Sequence, residues 1–361
     1  MLQRPQGRRQ CLAWLVAGAA TAPAFAAPVS ALGQVVGDAL GRPALVTRHA
    51  ERSVLLAADR AGSRIVAVGE RGIVVLSDDK GEHWRQAPTP VSVTLTAVRF
   101  ADATRGYALG HGGVVLATDD GGQSWKPRLD GRKMAQVLLA QAKASGDAAA
   151  IGSAERMVTE GADKPLLDLV LFDAQRLLVV GAYGVALVSD DAGASWTSWR
   201  ARLDNPKESH LYAVRQRGSR ILIAGEQGLV LLSEDSGRSF RRLTLPYSGS
   251  FFTAELPDDQ ALVVAGLRGN VWRASGAGAA WSQLASPVPV SITGSTLDAA
   301  GHLLFVNQAG MVLGLKGDAL QPLAGAPLPP LNAILALDAA HAVALSVQGA
   351  QRVNLQAGNP R

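Results

Sequence analysis

Apolar residues along this chain fall in short runs rich in Val, Leu and Ile, each bounded by Gly, Asp or Ser. The runs come in pairs joined by a G-x-x-G turn, as in "RIVAVGERGIVVLSDD", "GYALGHGGVVLATDD", "LLVVGAYGVALVSDD" and "ILIAGEQGLVLLSED". Run length, β-branched content and flanking turn residues predict strand–turn–strand units. The pairs are continuously apolar rather than alternating, so these strands are expected to be buried on both faces.

A second pattern follows each pair: S/T-x-D-x-G-x-x-aromatic. It occurs as Ser77-Asp79-Gly81-Trp84, Thr118-Asp120-Gly122-Trp125, Ser189-Asp191-Gly193-Trp196 and Ser233-Asp235-Gly237-Phe240. The first glycines of the G-x-x-G turns, Gly69, Gly110, Gly181, Gly225 and Gly266, are spaced by 41, 71, 44 and 41 residues. Asn307 and Ser346 continue the ruler at 41 and 39. Seven units of about 40 residues with short strands predict an all-β, seven-bladed β-propeller with four-stranded blades. In the second unit the strands are assigned to 95–102, "RGYALGH", "GVVLATDD" and "SWKPRL". The seventh unit supplies three strands before the chain ends, so Pro43–Ala50 ("PALVTRHA") is expected to close the last blade as its outer strand and hide an open edge.

The long interval holds an insertion, residues 131–161, between blades 2 and 3. It is rich in Ala and helix formers. Val137, Leu138 and Gln141 share one helical face, and Ile151, Ala154 and Val158 another. Gly146-Asp147 would end one helix and cap the next, which predicts a helical hairpin on the rim.

Composition changes the picture at the N-terminus. Arg4, Arg8 and Arg9 precede an apolar run, Cys11–Ala20, and a small-residue site at Ala24-Phe25-Ala26, which reads as a signal peptide over 1–26. The run is too short to span a bilayer. Export, by the general secretory or the twin-arginine route, would place the protein in the periplasm or outside the cell, peripheral to the inner membrane. The expected organisation is a signal at 1–26, a lead-in at 27–41 and a propeller at 42–357. Cys11 is the single cysteine, so the mature chain would have no thiol chemistry. Without the signal the balance is 32 basic to 30 acidic residues, with no Lys/Arg run and no support for nucleic-acid binding.

The recurrent Asp motif is expected to be turn structure. Its carboxylate accepts backbone N–H bonds, its glycine permits φ > 0, and its aromatic packs back between sheets. Four copies in different blades cannot share one active site. No His spacing suits a metal, and no glycine-rich phosphate loop or other cofactor site appears, so neither metal nor cofactor is expected. Paired acids such as Asp119-Asp120 are better explained as turns than as calcium ligands.

The Asp motifs resemble the bacterial neuraminidase repeat, or Asp box, of sialidases and other propellers. Residues 53–285 look more specifically like the photosystem II stability/assembly factor family of seven-bladed propellers, through "VAVGERGIVVLSDDKGEHW", "RGYALGHGGVVLATDDGGQSW" and "GAYGVALVSDDAGASW". The resemblance implies a non-enzymatic, exported scaffold for a membrane protein complex, in some relatives a transporter; a monomer is expected. The decayed fifth to seventh units and the insertion depart from the pattern, which leaves the photosystem role itself open.

In a propeller the turns between second and third strands share one face with the inter-blade connections. Glu70, Arg71, His111, Tyr183, Glu226 and Arg268 lie on these turns and form the candidate binding face. The alternative is a sialidase-like glycoside hydrolase or glycan-binding protein. It would need an arginine cluster and a tyrosine nucleophile, for which Arg71, Arg268 and Tyr183 are the candidates.

Overall fold

A computed structural model describes residues 38–323 and 325–355; the expected signal, residues 27–37 of the lead-in and the end of the chain lie outside the described residues. Seven antiparallel sheets follow one another along the chain, six of four strands and one of three. Sheet 2 is representative, with strands Leu95–Phe100, Gly106–Gly110, Val115–Thr118 and Lys126–Leu129. The first strand of each sheet touches the first strands of its neighbours, and together the seven line a central channel of about 320 Å³. Second and third strands are buried, and the core consists of side-chain clusters shared by adjacent sheets.

The ruler glycines answer to a close approach. Their backbone is extended, so φ places no demand on them. A Cβ at Gly69 would lie 2.0 Å from the Val54 carbonyl oxygen, and one at Gly110 2.1 Å from that of Thr94. The neighbouring turn amide donates to the same carbonyl, Glu70 to Val54 at 3.0 Å and His111 to Thr94 at 2.8 Å. The first strand bulges at this point in all seven sheets. Where the glycine is replaced, the side chain holds its own turn. The Asn307 Oδ1 accepts from the amides of Ala309 and Met311, and Ser346 Oγ accepts from Gln348.

The expected closing strand does not form. Residues 43–50 contain no strand, and sheet 7 keeps three: Leu331–Ala336, His341–Ser346 and Gly349–Asn354. Instead the segment runs beside sheet 1. Ala44 donates to the Thr89 carbonyl at 3.1 Å, and Gln86 grips the backbone on both sides of Val46. Pro43 has no N–H to give to a ladder. Sheet 7 meets sheet 1 through side chains. Ile65 and Val75 share a buried cluster with Val343, Leu345 and Ala50, and Arg60 donates to the carbonyls of Ala336 and Leu337. The turn at Ala50–Arg52 also backs onto Gly349, where a Cβ would come within 1.9 Å of the Glu51 oxygen.

Helices α1 (Gly131–Ser145) and α2 (Ala148–Glu160) stand between sheets 2 and 3 in chain order. Asp130 and Asp147 accept amide bonds at their N-termini, and Gly146 (φ 71) ends α1 in the left-handed region. The buried faces are Met134, Leu138 and Ala142 on one helix and Ala154 and Met157 on the other. They pack on Leu166, Leu187 and Trp196 of sheet 3. Val158, placed with Ile151 and Ala154 by spacing, is exposed, and Met157 takes the inward position.

Candidate functional site

The Asp-box residues form the same small network four times. The hydroxyl of Ser77, Thr118, Ser189 or Ser233 accepts the amide of Gly81, Gly122, Gly193 or Gly237 at 2.8–3.0 Å and donates to the Asp Oδ1 at 2.7–2.9 Å. Each of these glycines has φ between 81 and 87, which favours a residue without Cβ. The same Asp Oδ1 accepts the amide four residues on, at His83, Ser124, Ser195 or Ser239. Trp84, Trp125 and Trp196 donate their indole N–H to the glycine carbonyl, while Phe240 fills the equivalent place without a donor.

A fifth member of the motif was missed in the sequence. The residue four after the Asp binds its Oδ2, through Ser124, Ser195 and Ser239 hydroxyls at 2.6 Å and the His83 ring at 2.7 Å. Bonds from His83 hold the Asp79 carboxyl down at about 2, and bonds from Ser195 do the same for Asp191, also about 2. Every polar group of the box is engaged with its own turn. The arrangement is a fastened hairpin rather than a reaction centre.

The candidate binding residues all lie on the short turns between second and third strands, each next to the start of an inner strand. No hydrogen bond, ion pair or ring contact joins any two of the six among the described residues. Glu70 and Glu226 support the fold: their carboxylates accept the amides of Val54 and His210, at 3.0 and 3.2 Å. Arg71, Tyr183 and Arg268 occupy the left-handed region, with φ of 54 to 56, at equivalent positions of their turns. His111 and Arg71 are exposed.

Tyr183 opens an aromatic line into the channel. Its ring meets His210 edge-on at 4.9 Å, His210 meets Tyr212 at 6.1 Å, and Tyr212 meets Phe252 at 5.4 Å. Lys164 sits 4.6 Å over the Tyr183 ring and is held by Glu160 and Asp163. Three of the exposed large apolar residues, Tyr183 (45%), Leu267 (38%) and Val347 (43%), belong to these turns in sheets 3, 5 and 7.

Inside the channel a polar belt joins the inner strands, and it too was missed. Asp59 of sheet 1 accepts the amide of Phe100 in sheet 2 at 2.8 Å. Arg99 of sheet 2 reaches Asp168 of sheet 3 at 3.4 Å. Asp168 accepts from Arg215 of sheet 4 at 2.5 Å and from the Val214 amide at 3.0 Å. Arg215 also reaches Glu255 of sheet 5 at 3.4 Å, and Ser295 of sheet 6 donates to Glu255 at 2.7 Å. Burial disfavours the Arg215 charge, but Asp168 and Glu255 outweigh it and its pKa is raised. Burial dominates at Asp59 and raises its carboxyl pKa despite Arg99. The visible signal was a charged residue interrupting an apolar inner strand, as in "LLDLVL". Among the described residues no group of three His, Cys, Asp or Glu could hold a metal ion.

The chain belongs to the photosynthesis system II assembly factor YCF48 family, which matches residues 76–158 and 148–316. Among solved structures it is similar to YCF48 bound to a D1 peptide, with 14% identity over 87% of this chain and 99% of that one and a TM-score of 0.64. It is also similar to YCF48 from Cyanidioschyzon merolae, with 15% identity over 88% and 99% and a TM-score of 0.63. The WD40 β-propeller domain of Doa1 shares the architecture at 10% identity over 88% and 96%, TM-score 0.61. No curated protein matches it by sequence.

Proposed function

We propose that this member of the YCF48 family is an exported, non-catalytic, seven-bladed propeller that binds a segment of a membrane protein complex and assists its assembly or stability. The observation that carries the reading is that Tyr183, Leu267 and Val347 are exposed on corresponding turns of sheets 3, 5 and 7, with Tyr183 linked through His210 to Tyr212 and Phe252 of the channel. Exposed apolar side chains grouped on one rim mark interaction sites, and aromatic anchors give binding energy at low entropic cost. That a relative holds a D1 peptide supports a protein segment as ligand. Arg71 and Arg268 leave the face with a cationic rim suited to an acidic or carboxylate-bearing segment. The partner in this organism is a membrane complex or a transporter subunit.

The test is site-directed photo-crosslinking in membranes of the source organism. A photoreactive residue at position 183 or 267 should capture a membrane protein, and one at Gln123, on an Asp-box turn, should not. Equal capture from both faces, or capture from Gln123 alone, would remove this assignment.

A further inference from the structure

The two most exposed large apolar residues of the described chain are adjacent: Leu45 at 78% and Val46 at 86%. They are not on a loose loop. The Gln86 side chain clamps the backbone around them, its Nε2 donating to the Leu45 carbonyl and its Oε1 accepting the Thr47 amide, each at 2.9 Å. Ala44 is tied to Thr89 in the connection that follows. A fixed clamp thus presents two aliphatic side chains to solvent from the outer edge of sheet 1.

Their surroundings are cationic. Arg42 and Arg48 flank the pair and are exposed, and Arg48 makes no ion pair among the described residues. Arg42 donates to Ser92 and makes no ion pair among the described residues. His49 and Arg52 follow and share Glu51, while Asp38, on the other side, pairs with Arg132. The tip therefore carries a surplus of positive charge on both sides of its apolar point. A protein pocket would need carboxylates placed on both sides of its apolar floor to match them. A bilayer with anionic headgroups satisfies both parts at once, because aliphatic side chains enter the acyl boundary while arginines meet phosphates.

We infer that Leu45-Val46, framed by Arg42, Arg48 and Arg52, is a contact point for an anionic membrane surface. It stands beside the candidate binding face: Ser92, which receives Arg42, also donates to Ala39, and Gly72 of the first turn accepts from Thr89. Docking at this tip would hold that face near the bilayer, where segments of membrane proteins emerge. The inference is independent of the identity of any partner protein.

The experiment is flotation of the exported form, without the expected signal at 1–26, with vesicles of phosphatidylcholine alone or with phosphatidylglycerol added. The expected result is binding to anionic vesicles that weakens as salt rises. Leu45→Glu/Val46→Glu should weaken binding on the order of 10-fold or more, since burying one such side chain is comparable to a decade in affinity. Arg48→Ala should lower the salt-sensitive part. Both variants should melt like the parent, because the substituted side chains are solvent-exposed. A second measurement reads the site directly. Val46→Cys in the form without residues 1–26, where it is the single cysteine, labelled with a polarity-sensitive fluorophore, should shift to the blue on adding anionic vesicles, and the same label at Gln260 should not. An unshifted label at 46, or a double Glu variant that floats as well as the parent, would overturn the inference. So would capture of a detergent-solubilised protein through Leu45 with no vesicle binding.

Discussion

Asn332 of sheet 7 donates its side-chain amide to the carbonyl of Leu55 in sheet 1, 2.9 Å away across 277 positions of sequence. The same contact recurs where sheets are neighbours in the chain. Thr96 of sheet 2 donates to Leu166 of sheet 3, and Thr293 of sheet 6 to Leu331 of sheet 7, both at 2.7 Å. Sheet 7 thus treats sheet 1 as its successor. With no fourth strand on sheet 7 among the described residues, this bond, the Arg60 bonds to Ala336 and Leu337, the Arg352–Glu82 pair and the shared cluster around Val343 hold the junction. Asn332→Ala should lower stability by about 0.5–1.5 kcal/mol, as for one lost hydrogen bond. Asn332→Thr should recover most of it. Urea unfolding of the two variants checks this, and equal loss in both would show that the bond itself is not what matters.

The Asp-box hydroxyl is expected to matter through one buried amide. Thr118→Val keeps shape but strands the Gly122 N–H and removes a donor from Asp120. The cost should be about 1–3 kcal/mol by chemical denaturation. Binding by the folded fraction should be unchanged, because this turn is on the opposite face from Tyr183.

Acid should loosen the same turns. The carboxyls of Asp79 and Asp191 are held at about 2, below the ordinary value of 3.8. A depressed carboxyl contributes stability above its unfolded pKa and loses it as pH falls through the folded value. The melting temperature should therefore decline between pH 4 and pH 2. Asp191→Asn, already lacking the charge, should show a shallower decline over that window.

Arg215 is the hinge of the polar belt. Arg215→Met would leave Asp168 and Glu255, both nearly buried, without their shared counter-charge. Removing one partner of a buried ion pair typically costs about 3–5 kcal/mol. Adding Glu255→Gln should return part of it, and a double-mutant cycle at pH 7 measures the coupling.

Asp59 should respond in the opposite sense. Its raised pKa means the ionised form is disfavoured by folding, so its contribution holds at low pH and is lost as pH rises through the folded value. Asp59→Asn keeps an acceptor for the Phe100 amide. It should melt higher than the parent at pH 7, with the gain vanishing near pH 3.

Much of the sheet arrangement was legible because the repeat has local causes. Gly69 and Gly110 must be small where an inner strand crosses, and Gly81 and Gly122 must take positive φ, so both kinds recur in sequence. Asn307 and Ser346 weakened the ruler because a side chain can hold the turn instead. The fate of Pro43–Ala50 was not legible, since it depends on a clamp from Gln86, a residue in another strand. Neither was the belt, whose partners Asp168 and Arg215 meet across sheets. Ser124, Ser195 and Ser239 were in plain view, but His83 in the first copy broke the pattern.

The belt also has a parity. From sheet 1 to sheet 5 its charged members run Asp59, Arg99, Asp168, Arg215, Glu255, so the sign alternates at every step. Near-identical repeats invite misassembly, because the apolar face of one sheet suits any other. An inner strand that skipped a neighbour would set acid beside acid or guanidinium beside guanidinium in a confined channel. The alternation thus disfavours setting any inner strand beside the one two sheets away, where the charges would match in sign.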